Sequence, residues 1–599
     1  MSGAKQERAR PRPRDEYEGR GRFQSNLIWR LLSFVVPHKL LLVVSLVLFP
    51  IVTVAQLLQP YVLKQAIDGP IEQKLPEQLG VFAAAYLGLI LGQALLQFFQ
   101  SVIMQLVGQR VMRDIRNQLF GRVLTLAPSY FDRTPLGKVL TRLTGDVESL
   151  NEFLVSGLVS VVADTILLIG IVAVMLSLDW RLALISFSLV IPLVASIAWL
   201  RGRLRQIYRA IRNRSTALNT YLQESLVGMV IVQAFCREDV NREQFGERNA
   251  GLLVEGLKGV SVSSALSAGV QMAQTITIAL LFWAVLGDGL GIVVSVGLIV
   301  AFVDYSERFY APIDNLSGRY AILQTALASA EKIFSLIDET EELAQPEHPA
   351  PVPALADALL LDGVRFSYST GEEVLHEVTL SIPRGQTVAL VGATGAGKST
   401  IVKLLGRFYD PSHGAVRWDG ADLRTFHVRD LRKRIAYVPQ ETFLFSDTLA
   451  ANIALDPARV PRDRVLAAAE AVHASVVAAD LPLGYEQVLG ERGHDLSAGE
   501  RQLVSFARAL AHDPEVLILD EATANIDGET EARIQDALET LLSGRTAVVI
   551  AHRLSTIKRA DQIVVLHKGE VRERGTHDEL IARRGLYWKL YRLQSEEAP

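Results

Sequence analysis

The stretch Thr-Val-Ala-Leu-Val-Gly-Ala-Thr-Gly-Ala-Gly-Lys-Ser-Thr-Ile-Val-Lys-Leu-Leu, residues 387–405, decides the fold of the second half of the chain. Residues 387–391 are β-branched and apolar, as in a buried strand, and residues 401–405 are helix-forming. A glycine-rich turn between a strand and a helix predicts a phosphate-binding loop, whose N–H groups and helix dipole hold phosphates. A chance glycine turn is the competing reading. The loop residues predicted to bind a nucleotide are Gly392, Ala393, Thr394, Gly395, Ala396, Gly397, Lys398, Ser399 and Thr400.

A second motif, Val-Leu-Ile-Leu-Asp-Glu at 516–521, reads as a buried strand that ends in two carboxylates. Lys398 of the loop is expected to reach the outer phosphates, and Ser399 and Asp520 suit the shell of a Mg²⁺ ion. Glu521 is the candidate general base that polarises the attacking water. The alternative is that these carboxylates only end a strand and have no catalytic role. The phosphate-binding loop upstream favours a role in metal binding and catalysis.

The first half of the chain contains long apolar runs. Crossing a bilayer takes about 20 apolar residues. Five runs qualify, the third interrupted by Asp164, and they cover residues 40–63, 78–109, 153–178, 182–200 and 259–287. A shorter run, 289–303, can continue as a helix through Tyr305 toward Tyr310. Six spans are therefore predicted.

The distribution of basic residues predicts the orientation. Residues 110–142 and 201–258 are rich in Arg, whereas the alternate connections hold few basic residues. The basic segments, both termini and the soluble half are therefore expected in the cytoplasm. The predicted organisation is a disordered basic tail (1–25), a transmembrane domain with six helices and long cytoplasmic loops (26–337), a linker (338–355) and a nucleotide-binding domain (356–599).

Composition excludes several classes of protein. The 599 residues include 49% hydrophobic and 21% charged residues, which argues against disorder and coiled coil. A net charge of −4 gives no basic field for nucleic acid. The single cysteine, Cys236, allows neither an intrachain disulfide nor a cysteine zinc site. The basic N-terminus has no apolar region of the kind that makes a signal peptide.

Leu496-Ser-Ala-Gly-Glu500, shortly before Asp520, resembles the signature of ABC ATPases, and the resemblance covers nearly the whole chain. The implied fold is an all-α six-helix transmembrane domain followed by an α/β P-loop nucleotide-binding domain with a helical subdomain. The implied cofactors are ATP and Mg²⁺. Because such ATPases work as head-to-tail pairs and this sequence has one ATP-binding half, the working unit is expected to be a dimer. The resemblance implies roles for further residues. Tyr368 would stack on adenine, Gln440 would be a catalytic and metal-site residue, and His552 would contact the γ-phosphate. Ser497 and Gly499 would bind the nucleotide held by the partner, and Asp527 would lie in the loop that crosses to the partner.

Other segments are similar to the exporter branch of the family. Gly-Glu-Arg-Gly at 490–493 resembles a loop that touches the partner's membrane helices. Two cytoplasmic loops fit the coupling loops of exporters, the first by Phe131, Asp132, Gly137, Arg142 and Asp146, the second by Glu224, Gly228, Phe235 and Glu238. Their tips are expected on the ATP domains.

The signature departs from the commonest family pattern. Ala498 keeps a small side chain, but Glu500 places a negative charge where an amide is usual. The crossing loop reads Ala-Asn-Ile-Asp at 524–527 where Ser-Ala-Leu-Asp is commonest. Both features resemble one subunit of heterodimeric multidrug exporters, in which one ATP site is often degenerate. A heterodimer is therefore favoured over a homodimer.

Charged residues inside the predicted spans are candidates for the substrate cavity, namely Asp164, Asp304 and Arg308. A cavity that favours cationic amphipaths is one reading. The other is structural: an ion pair between Asp304 and Arg308, four residues apart on one helix face, and a helix-to-helix hydrogen bond for Asp164.

The resemblance implies ATP-driven export of hydrophobic or amphipathic small molecules by alternating access. Lipid flippase or peptide exporter is the alternative. An ATP-gated channel or regulator is disfavoured, because gating by ATP binding alone would not need the catalytic Glu521. The expected location is a bacterial inner membrane, and the expected partners are a second half-transporter, the lipid bilayer and the transported substrate, without nucleic acid.

Overall fold

The computed structural model describes residues 23–286, 294–368, 371–520, 528–551 and 553–596, which form two compact units. The first unit extends to Val123 and continues from Gly137 to Asp338. The second consists of Leu124–Leu136 and the residues from Glu339 onward. The second unit therefore includes a segment that is distant in sequence from the rest of it.

The first half of the chain consists of helices in its described residues, several of them long enough to exceed the thickness of a bilayer. The helices are α1 (Phe23–Val35), α2 (Lys39–Ala66), α3 (Pro76–Val123), α4 (Pro128–Arg133), α5 (Leu136–Thr141), α6 (Val147–Glu152), α7 (Val159–Leu178), α8 (Trp180–Phe187), α9 (Val190–Val227), α10 (Met229–Ala234), α11 (Glu238–Leu286) and α12 (Val296–Ile337).

Among the described residues, five helical stretches are long and apolar enough to span a membrane: Trp29–Ile71, Glu77–Val123, Leu136–Leu178, Trp180–Val227 and Glu238–Val285. Each overlaps one of the five long runs predicted above and extends beyond it. Their large apolar side chains are widely exposed, as for Leu40 at 75% and Val81 at 71%. Such exposure is expected where lipid rather than water surrounds a helix.

The sixth predicted span differs from the observed helix. Residues 289–293 lie outside the described residues, and α12 starts at Val296. Ser295 is its N-cap, with Oγ accepting from the Leu298 N–H at 3.2 Å. Asp68 strengthens this start, because its carboxylate accepts from Ser295 Oγ at 2.7 Å and from the Gly297 N–H at 2.8 Å. A helix with this cap begins where its first N–H groups find acceptors.

The second unit is built on two sheets. Six strands form a mainly parallel sheet in the order β10-β9-β3-β8-β7-β6, and four form an antiparallel sheet in the order β2-β1-β4-β5. Parallel strands covered on both faces are apolar throughout, and Thr546–Ile550 is buried at every position. The strands are β1 (Ala358–Ser367), β2 (Glu373–Pro383), β3 (Thr387–Val391), β4 (His413–Trp418), β5 (Ala421–Asp422), β6 (Ile435–Val438), β7 (Val516–Asp520), β8 (Thr546–Ile550), β9 (Gln562–His567) and β10 (Glu570–Gly575).

Helices complete the second unit. The segment α15–α18 is the predicted helical subdomain, and its side chains Ile453, Val477 and Phe506 belong to one buried core. The structure thus has the predicted class, a helical domain followed by an α/β domain. The helices are α13 (Lys398–Leu405), α14 (Val428–Arg432), α15 (Leu449–Ala454), α16 (Arg462–Ala471), α17 (Ala474–Asp480), α18 (Ala498–Ala511), α19 (Gly528–Leu542), α20 (Leu554–Arg559), α21 (His577–Arg583) and α22 (Leu586–Glu596).

Candidate functional site

The glycine-rich loop joins β3 to α13 and forms a cradle of backbone N–H groups. Gly397, the N-cap of α13, has φ +99°, which an L side chain rarely adopts. A Cβ there would also lie 2.6 Å from Leu375 Cδ2. At Gly392 a Cβ would collide with the Leu566 carbonyl. The cradle therefore requires glycine at both ends, and the N-terminus of α13 opens into it.

The Lys398 ammonium lies over this cradle. It donates to the carbonyl oxygens of Gly392 at 2.7 Å and Ala393 at 3.1 Å. The side chain is 7% exposed, and burial lowers the pKa of Lys398, opposed by the Asp520 carboxylate. A lysine in this environment gains from an anion nearby, because phosphate would replace the favourable interactions lost on burial.

The sheet register brings the predicted metal residues to one edge. Leu390 of β3 pairs with Ile550 of β8, and Ile550 pairs with Asp520 of β7. Asp520 is therefore level with the start of the loop. Gln440 follows the neighbouring strand β6 by two residues and is exposed, as is Ser399 in the first turn of α13. This edge is formed by the carboxyl ends of parallel strands, where α/β sheets bind ligands.

Tyr368 lies in a group of aromatic rings beside the loop. Its ring contacts Phe366 at 4.8 Å and Tyr409 at 5.4 Å, both nearly perpendicular, and Lys403 Nζ lies 5.5 Å from its centre. Its hydroxyl is 3.2 Å from Thr400 Oγ1. These contacts fix the ring next to the cradle, where an adenine base could stack.

Tyr409 connects this aromatic group to α4. Its hydroxyl donates to Asp132 of α4, and burial together with that carboxylate raises the pKa of Tyr409. The Leu124–Leu136 segment makes further contacts within the second unit. Arg133 pairs with Glu341, and the Ala127 N–H donates to the Glu341 carbonyl at 2.9 Å. The tip of the first predicted coupling loop therefore belongs to the unit that carries the nucleotide cradle.

The signature residues start α18 with a complete capping box. Ser497 Oγ accepts from the Glu500 N–H at 3.2 Å, and Glu500 Oε2 accepts from the Ser497 N–H at 2.7 Å. Ser497 is exposed and Gly499 is buried. Glu500, the departure noted in the sequence, therefore has a structural role, since a carboxylate is favoured at a helix N-terminus.

Three predicted residues, Glu521, Asp527 and His552, lie outside the described residues. Their roles stay predictions. The exporter-type loop contains a 3₁₀ turn, Glu491–Gly493, in which Arg492 has φ +57°.

In the first unit, both carboxylates predicted as cavity candidates are paired with arginine. Asp164 of α7 forms an ion pair with Arg319 of α12, and Asp304 accepts from Arg308 Nε at 2.8 Å. The structural reading of Asp304 and Arg308 matches this geometry. Asp164 is joined to a cation on another helix, and the choice between a substrate-binding and a structural role for it stays a prediction.

The position of Arg308 follows from a proline in α2. Pro60 has no N–H to donate to the Gln56 carbonyl, four residues earlier. Arg308 Nη1 donates to that carbonyl at 3.3 Å, and Nη2 donates to Gln59 Oε1 at 3.0 Å. The guanidinium is therefore held by Asp304, the Gln59 amide and a carbonyl released by Pro60.

Some of these residues line a cavity of about 210 Å³ in the first unit. Asp164 and Arg308 are among its lining residues and Asp304 is not, and a role of these side chains in binding substrate stays a prediction. Arg319 and Tyr409 were missed by sequence reasoning. Arg319 lies beyond the apolar run, and only a helix extended to Ile337 could have placed it near Asp164. The cavity is lined by Gln56, Asp164, Leu167, Arg308, Ala311, Pro312 and Arg319.

Comparison with known proteins agrees with this geometry. The family described as ABC transporter transmembrane region matches residues 42–313, and the family ABC transporter matches residues 375–524. The probable multidrug resistance ABC transporter ATP-binding/permease protein YheH of Bacillus subtilis (strain 168) is 39% identical over 515 residues, covering 85% of this chain and 76% of that protein. An ATP-dependent lipid A-core flippase of Syntrophus aciditrophicus (strain SB) is 35% identical over 586 residues, covering 96% of each.

Among solved structures, a bacterial Atm1-family ABC exporter with ATP bound superposes with a TM-score of 0.78 at 27% identity, covering 94% of this chain and 99% of that one. The fold and the site define an ATP-hydrolysing transport ATPase embedded in a membrane by several helices. The chain belongs to the ABC transporter family, as an exporter-type half-transporter. Exporters of this type bind ATP and act as dimers.

Proposed function

We propose that the chain exports hydrophobic or amphipathic small molecules by alternating access. The observation that carries the proposal is the Asp132–Tyr409–Tyr368 contact series. It links a loop between two membrane helices to the ring expected on adenine. A change at the nucleotide can therefore act on α4, and α4 continues into helices of the first unit. ATP shifts the equilibrium between two states only by its different affinity for each.

In the proposed cycle, Lys398 and the loop N–H groups hold the phosphates, and Tyr368 stacks on adenine. Ser399, Asp520 and Gln440 offer oxygen ligands of the kind that Mg²⁺ takes, with phosphates and waters completing its shell. Glu521 orients and deprotonates water, and His552 contacts the γ-phosphate.

The proposed assembly is a heterodimer of half-transporters in a bacterial inner membrane, with both termini cytoplasmic. The face of α10 and its flanks supports a partner, because Val227, Val230, Ile231 and Phe235 are 64–84% exposed on a segment between two long helices. Apolar exposure of this extent outside the bilayer marks an interaction surface. Ser497 and Gly499 of this chain would then contact the nucleotide held by the partner.

Transport of lipid is the second candidate. Arg308 and Arg319 both line the cavity, and arginine binds the phosphate of a headgroup well. The lipid A-core flippase relative points in the same direction.

The proposal is tested by purifying the chain in liposomes and measuring ATP hydrolysis together with movement of a fluorescent amphipath. Glu521→Gln is the control for chemistry at the ATP site. We expect the chain alone to bind ATP without hydrolysing it, and ATP-dependent movement that Glu521→Gln abolishes once a partner half-transporter is present. Hydrolysis by the chain alone would contradict the heterodimer, whereas a folded, ATP-binding but inactive chain requires a partner. Hydrolysis by the complete assembly without movement of any amphipath would contradict export.

A further inference from the structure

We propose that the cavity in the first unit binds the zwitterionic headgroup of an amphipath, with Asp164 receiving its cation and Arg319 its anion. This inference rests on the proposed function and specifies its substrate class. The site would take a molecule that joins an ammonium to a phosphate, sulfonate or carboxylate. The charged groups of the cavity differ in whether they can exchange partners.

Arg308 is not exchangeable. Its guanidinium contacts Asp304 twice, at 2.8 and 3.4 Å, and also contacts Gln59 and the Gln56 carbonyl. All three partners are fixed on α2 or α12. Asp304 is also one helical turn from Arg308, so the pair is intrahelical. A ligand would have to break four contacts to release this arginine.

Asp164 and Arg319 differ from that pair. They come from α7 and α12, and each is partly exposed, at 23% and 20%. Both side chains line the cavity, together with Gln56 and Pro312. An ion pair that joins two helices beside a cavity can be replaced by two pairs with a ligand when the helices move apart.

The charge balance selects the ligand. A simple cation at Asp164 would leave Arg319 without its carboxylate, and a simple anion at Arg319 would leave Asp164 without its guanidinium. Leaving a largely desolvated charge without a partner is costly, so each of these ligands is disfavoured. A zwitterion satisfies both side chains at once. The volume of about 210 Å³ suits a headgroup rather than a whole lipid, so the acyl chain would lie outside the described cavity.

The test compares four detergents with the same twelve-carbon chain and different headgroups, namely phosphocholine, trimethylammonium, sulfate and maltoside. Each is titrated into the full-length protein, with its partner if hydrolysis requires one, in nanodiscs of phosphatidylglycerol. Binding and stimulation of ATP hydrolysis are read together. Free phosphocholine without a chain distinguishes a soluble zwitterion from an amphipath.

The variants are Asp164→Asn, Arg319→Gln and the double variant. We expect the wild-type protein to bind the phosphocholine detergent most tightly, and each single variant to lose roughly tenfold or more in that affinity. Asp164→Asn should then favour the sulfate, Arg319→Gln the trimethylammonium, and the double variant the maltoside. The double variant leaves no unpaired charge in the cavity. It therefore still folds and reports headgroup preference if a single variant misfolds.

The control is a second ion pair of the same unit, between Glu255 and Lys258 at 2.7 Å, which does not line the cavity. Glu255→Gln and Lys258→Gln should not change the order of the four headgroups. The same order in every variant would overturn the inference and make Asp164–Arg319 a structural pair. That outcome leaves export intact if any detergent is moved with ATP, whereas ATP hydrolysis without any movement contradicts the proposed function itself.

Discussion

Two cations of this chain are held in opposite ways. Lys398 in the second unit donates to carbonyl oxygens five and six residues away in its own loop. Arg308 in the first unit contacts residues about 250 positions away on α2. The lysine therefore depends on local backbone geometry, whereas the arginine depends on two helices being packed together.

The two kinds of contact predict different consequences when the cation is removed, one for function and one for stability. A cation held by its own loop can be removed without separating any elements, so its loss should affect ligand binding and chemistry. A cation that ties two helices contributes to the packing of those helices, so its loss should affect the free energy of unfolding.

The largest effect is expected for Lys398→Ala. Removal of the ammonium takes away the charge that stabilises the outer phosphates, and ATP hydrolysis should fall by at least on the order of 100-fold. The thermal midpoint should hardly change. Steady-state hydrolysis and differential scanning fluorimetry measure the two quantities. Lys433→Gln, an exposed lysine paired with Asp430, is the matched control. A large drop in the midpoint of Lys398→Ala would break the comparison.

The converse is expected for Arg308→Gln. Loss of the guanidinium leaves Asp304 without its cation and the Gln56 carbonyl without a donor, which should cost about 2 kcal/mol of unfolding free energy. Chemical denaturation in detergent, followed by a helical signal, measures this cost. Basal ATP hydrolysis of the folded fraction should persist. An unchanged denaturation midpoint would show that Arg308 does not tie α2 to α12.

A smaller effect is expected for Tyr409→Phe, which removes the hydroxyl that contacts Asp132. Stimulation of ATP hydrolysis by an amphipath should fall roughly three- to tenfold, while hydrolysis without amphipath stays unchanged. The ratio of the two rates is the measurement, and Tyr485→Phe, a partly buried tyrosine of the helical subdomain, is the control. Equal loss of both rates would assign Tyr409 a role in folding rather than in positioning α4.

Glu500 sharpens the comparison within the second unit, because it belongs both to a helix cap and to the signature proposed to contact the partner's nucleotide. Glu500→Gln keeps the capping box and loses its charge, at a cost of about 0.3–1 kcal/mol. Glu500→Ala loses both and should cost more, by about 1 kcal/mol. Thermal unfolding ranks the two variants. If Glu500→Gln speeds hydrolysis in the assembled transporter, the carboxylate also weakens the partner's ATP site.

The smallest effect concerns His512, whose Nε2 is buried and without a partner among the described residues. Burial lowers the pKa of His512, and nearby Arg459 acts in the same direction. Its contribution to stability is therefore complete above the unfolded pKa of about 6.5, and is lost as pH falls from there through the lower folded value. His512→Gln should flatten the decline in thermal midpoint between pH 7 and 5. His348→Gln, at an exposed position, should leave the slope unchanged.

The ATP site could be predicted from sequence because its parts are local. Residues 392–400 carry the cradle in one run, and the apolar pattern of β3, β7 and β8 places the strand ends together. The roles of all these side chains stay predictions, and Glu521, Asp527 and His552 lie outside the described residues.

The cavity could be predicted only in part, because its contacts join residues that no local pattern connects. Asp164 stood out as a charge in an apolar run, but its partner Arg319 is 155 positions away on a helix that extends past the run. Tyr409 likewise lies four residues after the end of α13, and nothing in the local sequence distinguishes it from other aromatic residues. Its role depends on Asp132, whose place in the second unit follows from tertiary folding alone.

The position of Leu124–Leu136 in the second unit has a consequence for biosynthesis. Asp132 leaves the ribosome 277 residues before the tyrosine that binds it. At translation rates of about 5–20 residues per second, this segment waits roughly 14–55 s for its binding surface to be made. During that interval Tyr130, which is buried in the folded unit, has no surface to cover it. A chain truncated before Tyr409 would keep this segment exposed permanently, as a target for quality-control proteases.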